Sequence, residues 1–166
     1  HHADGENALI HSAAGDFRNI PTELLESAYP FVVWRFGLGV DSGGGGKYRG
    51  GLNVVKEYEL LTDATVSFHF DRSYMPQWGL FGGRDGARPR VMVYPSDGRE
   101  PFQANKVESL QLPRGSRFIC ETGGGGGYGD PQERDPELVL RDVRDGFVSR
   151  RAAKEIYGVE VSHEVR

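Results

Sequence analysis

Hydrophobic and polar residues alternate along several short stretches of this chain, and each stretch predicts a strand. Val32, Trp34, Phe36, Leu38 and Val40 recur at every second position, with Arg35, Gly37 and Gly39 between them, a period that an extended backbone keeps and a helix does not. The run stops at Asp41-Ser42-Gly43-Gly44-Gly45-Gly46, a turn signal. A second strand is expected over 52–62. After a turn at Thr62-Asp63, a third places Val66, Phe68 and Phe70 on one face and Ser67, His69 and Asp71 on the other, the pattern of a half-buried antiparallel sheet. Three more strands are expected at 90–94, 107–112 and 116–122, with turns at Pro95-Ser96-Asp97-Gly98 and Pro113-Arg114-Gly115 between them. Residues 72–90 show neither period and read as one long irregular loop, rich in glycine, proline, arginine and aromatics, of a length that is often functional.

Helical signals sit near the two ends. Asn19-Ile20-Pro21-Thr22-Glu23-Leu24-Leu25-Glu26 reads as a short helix with Asn19 or Thr22 as its cap and Pro21 in its first turn. Asp135-Pro136-Glu137 opens a second helix that ends at Gly146. Ser149 caps a third, whose Ala152, Ala153, Ile156 and Tyr157 form one apolar stripe and which Gly158 stops. Residues 159–161 are expected to add a last strand. The fold class is mainly β within α+β: about six mostly antiparallel strands closed by two short C-terminal helices. Residues 1–18 read as a polar arm and 19–166 as one β-rich domain. His1 and His2 resemble a tag remnant and carry no weight.

Composition narrows the function. The 166 residues carry 20 basic and 24 acidic side chains, a net charge of −4, which argues against a nucleic-acid binder that works by neutralising phosphates. One cysteine, Cys120, excludes an internal disulfide and any thiolate zinc cluster, and fits a reducing compartment. It lies within a strand, where a buried small hydrophobe is expected. No apolar run approaches the ~20 residues of a membrane span, and no charged-then-apolar leader opens the sequence. A cytoplasmic protein without membrane or nucleic-acid partners is expected.

Glycine is the outlier at 24 of 166, about twice the usual share, gathered in runs at 43–46 and 123–127. Neither run is a nucleotide signature. The phosphate loop needs glycine five positions before Gly-Lys and a hydroxyl after it; here Asp41 and Tyr48 stand there. Gly124, Gly126 and Gly129 match the dinucleotide spacing, but Asp130-Pro131 follows instead of a helix. Two readings remain for the runs: packing or loop flexibility, with the backbone freedom that glycine has at positive φ, or close approach to a ligand or a neighbouring chain. The candidate contacts for an anion or substrate are Gly44, Gly45, Lys47 and Arg49 in the first block and Gly125, Gly126, Tyr128, Asp130 and Arg134 in the second. Arg134 is expected to pair with Glu133 or Asp135. His11 with Asp16, Asp4 and Glu6 could offer metal ligands, but the spacing is that of solvated histidines, and no metal site is assigned. His69 is expected exposed, and Ser42, Ser73 and Ser149 lack a nucleophile elbow. No catalytic residue is assigned.

Four blocks in series resemble one family. Residues 19–30 resemble its N-x-P-x-E-x-x-E-x-x-Y-P stretch, 41–52 its D-S-G-G-x-G-x-x-R-G-G turn, Trp78-Gly79-Leu80-Phe81-Gly82-Gly83 its G-x-x-G-G loop, and 122–131 with Arg134-Asp135-Pro136, Gly146 and Tyr157-Gly158-Val159 its terminal block and closing helices. The family is hydantoinase B, or the oxoprolinase B-type domain. Its members are far longer, and the matched part is their carboxyl-terminal segment. The segment where related ketone carboxylases place metal ligands is missing, the spacing between His11 and Asn19 departs from the family's, and Asn53 and Gly123 stand where the family has glycine and proline. The resemblance implies a cytoplasmic polypeptide that works with a hydantoinase A-type ATP-binding partner and with the remainder of its own B-type subunit. Together these open a small cyclic amide such as 5-oxoproline or a hydantoin, with ATP and a divalent metal in the full complex and none bound by this chain alone. Two alternatives stay open: a component of an ATP-dependent acetone- or acetophenone-type carboxylase, and a non-catalytic scaffold or docking module.

Overall fold

The computed structural model describes residues 3–9 and 19–161; the tag-like His1 and His2, residues 10–18 of the expected arm with His11 and Asp16, and His163 lie outside them. The described chain is strand-rich α+β. Its elements are α1 (Thr22–Ala28), β1 (Phe31–Leu38), β2 (Val54–Leu60), β3 (Ala64–His69), β4 (Arg90–Tyr94), β5 (Phe102–Gln103), β6 (Lys106–Leu112), β7 (Arg117–Glu121), α2 (Pro136–Arg144) and α3 (Arg150–Tyr157), with one 3-10 turn at Pro131–Glu133. The strands form a five-stranded sheet ordered β1-β2-β7-β4-β5 and a two-stranded sheet of β3 and β6, and every pairing is antiparallel. β5, two residues long, carries too little sequence for a period to show.

The core lies between the two sheets. Leu60, Val91 and Val93 from the large sheet meet Phe68 and Leu112 from the small one, with Phe118 and Cys120 partly buried beside them. The rings of Phe118, Tyr58 and Phe68 stack or meet edge-on, with centroids 5.0 and 5.2 Å apart, within the favourable range for aromatic pairs. β3 alternates inward and outward as its sequence predicts, with Phe68 buried and His69 exposed.

β1 departs from expectation. Its register slips between Val33 and Arg35, so a bulge at Trp34 puts two residues opposite one. Residues directly opposite each other share a face: Phe31, Val33, Phe36 and Leu38 therefore lie with Leu60, Tyr58, Lys56 and Val54, whereas Val32 and Arg35 lie with Glu59 and Glu57. Trp34 joins that outer face and donates its indole N–H to Glu59 at 2.7 Å. The expected single stripe of five apolar side chains is thus divided between the two faces.

The helical ends follow sequence closely, except at one cap. Asp135 accepts from the Glu137 N–H and Ser149 from the Ala152 N–H, while Gly158 closes α3 at φ 70°, each a standard way to satisfy orphaned end groups. Val139, Val148, Ala152, Ala153 and Tyr157 form a second, smaller core. α1 instead begins at Pro21 with no side-chain cap: proline at that place leaves neither Asn19 nor Thr22 as the cap. Residues 159–161 are not a strand; the Val159 N–H closes back on Ala153.

Candidate functional site

All four glycine-rich segments leave the large sheet at the same end. Pairing of Leu38 with Val54, Val55 with Glu121, and Arg90 with Glu121 brings together the end of β1, the start of β2, the end of β7 and the start of β4. Beyond the ladder these segments continue side by side, but with a different period. Gly124 N–H donates to Ala87 and Gly127 N–H to Arg84, at 2.9 Å each; Ala87 N–H donates to Ser42 and Arg84 N–H to Gly45, at 2.8 and 2.7 Å. Gly5 N–H donates to Arg49 and Ala8 N–H to Leu52, at 2.7 and 2.9 Å. In each pair of segments the bonds recur every three residues, the repeat of a polyproline II-type backbone and not of a strand. Such segments bond to neighbours in several directions at once: Gly125 donates to Gly51 while accepting from Gly44, at 2.9 and 2.8 Å.

Glycine is required here for space. Of the glycines in the two runs none has positive φ, so conformational freedom is not the reason. A methyl group on Gly44 would overlap the Arg84 carbonyl, on Gly124 that of Ser42, and on Gly126 that of Trp78. A side chain is excluded for the same reason as at the axis of collagen. The close approach inferred for these runs is met by this chain's own backbone.

The polar candidates surround this bundle. Arg134 has a side chain with 0% exposure and grips Asp4 with two bonds of 2.6 and 2.8 Å, Asp142 at 2.7 Å and the Lys47 carbonyl at 3.2 Å. Arg49, also buried, donates to Asp142 at 3.3 Å, to Asn7 at 3.2 Å and to the Gly50 carbonyl at 2.6 Å. Two arginines and two aspartates thus form one nearly closed network joining the arm, the first glycine loop and α2. Burial alone would raise the Asp4 carboxyl, but hydrogen bonds from Arg134 and the Arg49 amide and the charges of both guanidiniums hold it below the usual carboxylate range. Arg134 therefore pairs with Asp4 and Asp142 in place of its sequence neighbours. The partner of Glu133 is Lys47, at 3.1 Å on the surface; their hydrogen bond and attraction raise the Lys47 ammonium above its ordinary value.

The remaining candidates are backbone or rim. Gly45 is buried and accepts from Arg84, and a methyl on it would press on Ile156 of α3. Tyr128 and Tyr48 exchange two backbone bonds of 3.0 Å, with ring centroids 6.4 Å apart. Asp130 is exposed and caps the 3-10 turn through the Gln132 N–H at 2.9 Å. The structure thus draws all nine candidates to one end of the sheet. It also adds Asn7 and Asp142, which sequence reasoning passed over, and Asp4, which it weighed only as a metal ligand. The acid at position 142 falls on the helical phase that buries Val139, a signal that a charged residue there is paired.

Elsewhere, Cys120 lies under the sheet with its thiol pushed up to about 11 by burial, partly offset by Lys56, as expected of an unreactive cysteine. Among the described residues no group of His, Cys, Asp and Glu is placed to hold a metal, and no helix is long and apolar enough to cross a membrane.

Comparison with known proteins gives consistent results. The profile of the Hydantoinase B/oxoprolinase family matches residues 1–131. The B component of a putative D-/L-hydantoinase from a Pseudomonas strain is 34% identical over 96% of this chain and 27% of its own length. The beta component of the caprolactamase of Pseudomonas jessenii is 37% identical over 84% of this chain and 25% of its own. The chain spans about a quarter of the length of the curated relatives it matches. The crystal structure of the ATP-dependent caprolactamase from Pseudomonas jessenii superposes with a TM-score of 0.72 at 32% identity, over 88% of this chain and 26% of that one. A nucleotide-free acetone carboxylase structure superposes at 0.76 over 96% of this chain and 25% of that one; at 21% identity it speaks for the fold.

Proposed function

The chain belongs to the hydantoinase B/oxoprolinase family, and on that footing we propose that it is the carboxyl-terminal portion of a B-type subunit in an ATP-dependent cyclic-amide hydrolase. Its part there is to hold a rigid wall beside the reaction chamber. The observation that carries this reading is the backbone-to-backbone glycine bundle. The Gly44 and Gly125 amides are already donated within the chain, and Arg49 and Arg134 are already paired. Opening an unstrained lactam needs its carbonyl oxygen polarised or phosphorylated and the resulting anion held by donors. Of the nine candidates, Lys47 and Asp130 are the exposed ones, and the Lys47–Glu133 pair lies on the surface, where it is weak enough to be exchanged for substrate or neighbouring polypeptide. Neither glycine run has the spacing of a phosphate loop, and Lys47 is engaged by Glu133, which disfavours a nucleotide at these runs. ATP and its metal therefore belong to a hydantoinase A-type partner in a cytoplasmic assembly.

The hydrolase reading is favoured over the ketone-carboxylase one by identity: 34% and 37% to the hydantoinase and caprolactamase components against 28% to the alpha component of acetone carboxylase. The test is turnover by the isolated chain given ATP, magnesium and 5-oxoproline, a hydantoin or caprolactam. No ring opening and no ADP release are expected until an A-type partner and the rest of a B-type polypeptide are added. Ring opening by the chain alone would overturn the proposal, and ATP turnover in the completed assembly that depends on bicarbonate and a ketone would replace it by the carboxylase reading.

A further inference from the structure

The loop between β3 and β4 carries a cost that its own packing does not explain. Leu80 accepts from the Gly83 N–H at 3.0 Å, and the two residues between have φ of 51° at Phe81 and 93° at Gly82. Those are the values of a type I′ turn, whose first central position favours asparagine, aspartate or glycine. A bulky residue there is a strained outlier, and strain of this kind persists where the surroundings over-determine it and function uses it. Phe81 is nevertheless 77% exposed, and on the same loop Tyr74 is 90% and Trp78 60% exposed. From Ser73 to Gly83 the sequence has no charged residue.

The stem under this tip is rigid. Gly86 N–H donates to Gln77, Leu80 N–H to Gly127 and Gly129 N–H to Leu80, at 2.9 Å each, and the Asp85 carboxylate accepts from Gly79 N–H at 2.9 Å. The glycine bundle thus grips both legs of the loop and lifts an uncharged aromatic tip into solvent. The Phe81 ring lies against Tyr128, tilted by 53° with centroids 5.0 Å apart. Five exposed apolar side chains on one short loop, Tyr74, Met75, Trp78, Leu80 and Phe81, suit a protein contact, and a preorganised aromatic anchor is what such contacts use.

We propose that this loop seats the chain on the remainder of a B-type subunit, with Phe81 entering an apolar recess of that polypeptide. The inference rests on the reading of the chain as part of such a polypeptide. The occupant is the remainder because the matched segment makes up only 25–27% of its relatives, so three quarters of the polypeptide lies outside it and is held at high effective concentration when the two are joined. The run of uncharged residues from Ser73 to Gly83 suits an apolar protein surface, with the Arg72 guanidinium over the Trp78 ring at 5.7 Å at its edge.

The test uses this 166-residue chain and, as probe, the beta component of the Pseudomonas jessenii caprolactamase lacking its matched quarter. Phe81→Asn, which fits the turn better, is expected to raise the melting temperature of the isolated chain by about 2–4 °C and to weaken binding to the probe at least tenfold. A lower melting temperature, or unchanged binding, overturns the proposal and leaves the B-type reading standing. A wild-type chain that does not bind the probe at all overturns that reading and this proposal with it. A wild-type dimer in light scattering that Phe81→Asn dissolves assigns the surface to a second copy and overturns the proposed occupant.

Discussion

At the scale of single residues, Asp142 has the most consequence. It is buried and receives both Arg49 and Arg134. Removing its charge leaves two buried guanidiniums with Asp4 alone, and breaking one side of a buried ion pair costs about 3–5 kcal/mol. Asp142→Asn is therefore expected to lower the melting temperature by roughly 6–20 °C, at about 2–4 °C per kcal/mol for a chain of this size, read by circular dichroism. Lys47→Ala breaks an exposed pair with Glu133 and is expected to leave the melting temperature where it was. The partners of these charges were hidden in the sequence. Arg134 meets Asp4 across 130 positions, and nothing local to either residue points to the other. What sequence could show was the chance pairing with Glu133 and Asp135, since only near neighbours are visible there.

At the scale of elements, the glycine runs and the strands give opposite lessons. β3 follows its own alternation, because the side that faces the core must be apolar at every second residue, while β6 takes one extra residue near Ser109 and turns Val107, Leu110 and Leu112 inward. The glycine runs say only that side chains are absent, and that has two physical causes: positive φ or lack of room. The structure chooses room, and this leads to a contrast between two alanine substitutions. Gly126→Ala pushes a methyl into the Trp78 carbonyl and is expected to cost at least about 1–3 kcal/mol, as overpacking does. Gly37→Ala, in β1, has nothing within 4 Å of the new methyl and should stay within about 0.5 kcal/mol of the parent. Denaturant midpoints of the two variants compare them directly. Equal stability would mean that the segments of the bundle are not in contact. The bulge at Trp34 belongs to the same scale: it moves an apolar stripe between faces by one extra residue, and no spacing in β1 itself announces it.

For the whole molecule, the arm of residues 3–9 is part of the bundle. Gly5 and Ala8 bond to Arg49 and Leu52, and Asp4 closes the charge network. Asp4 is held below the usual carboxylate range, so at mildly acidic pH the folded chain binds fewer protons there than the unfolded one. Its contribution is fully present above the unfolded value of about 3.9 and is lost as pH falls through the lower folded value. Acid should loosen the arm and the α2–α3 pair before it opens the core between the sheets. Amide exchange at Gly5 and Ala8 is expected to quicken below about pH 4 while Val91 and Val93 remain protected. Simultaneous release of both regions would mean that the network does not act as a separate clasp.

By itself the sequence determined the six longer strands, though not β5 or the absence of a strand at 159–161, where the C-terminal helices start and stop, and, through four ordered blocks, the family. These are properties of neighbouring residues: alternation, caps and runs of fixed spacing. Only the tertiary structure decided that the glycines serve contact between backbones, that the candidate arginines are spent inside the chain, and that β2 and β3, consecutive in sequence, lie in different sheets. Each of these depends on what arrives from far along the chain, and a residue's order in the sequence does not encode the space left beside it.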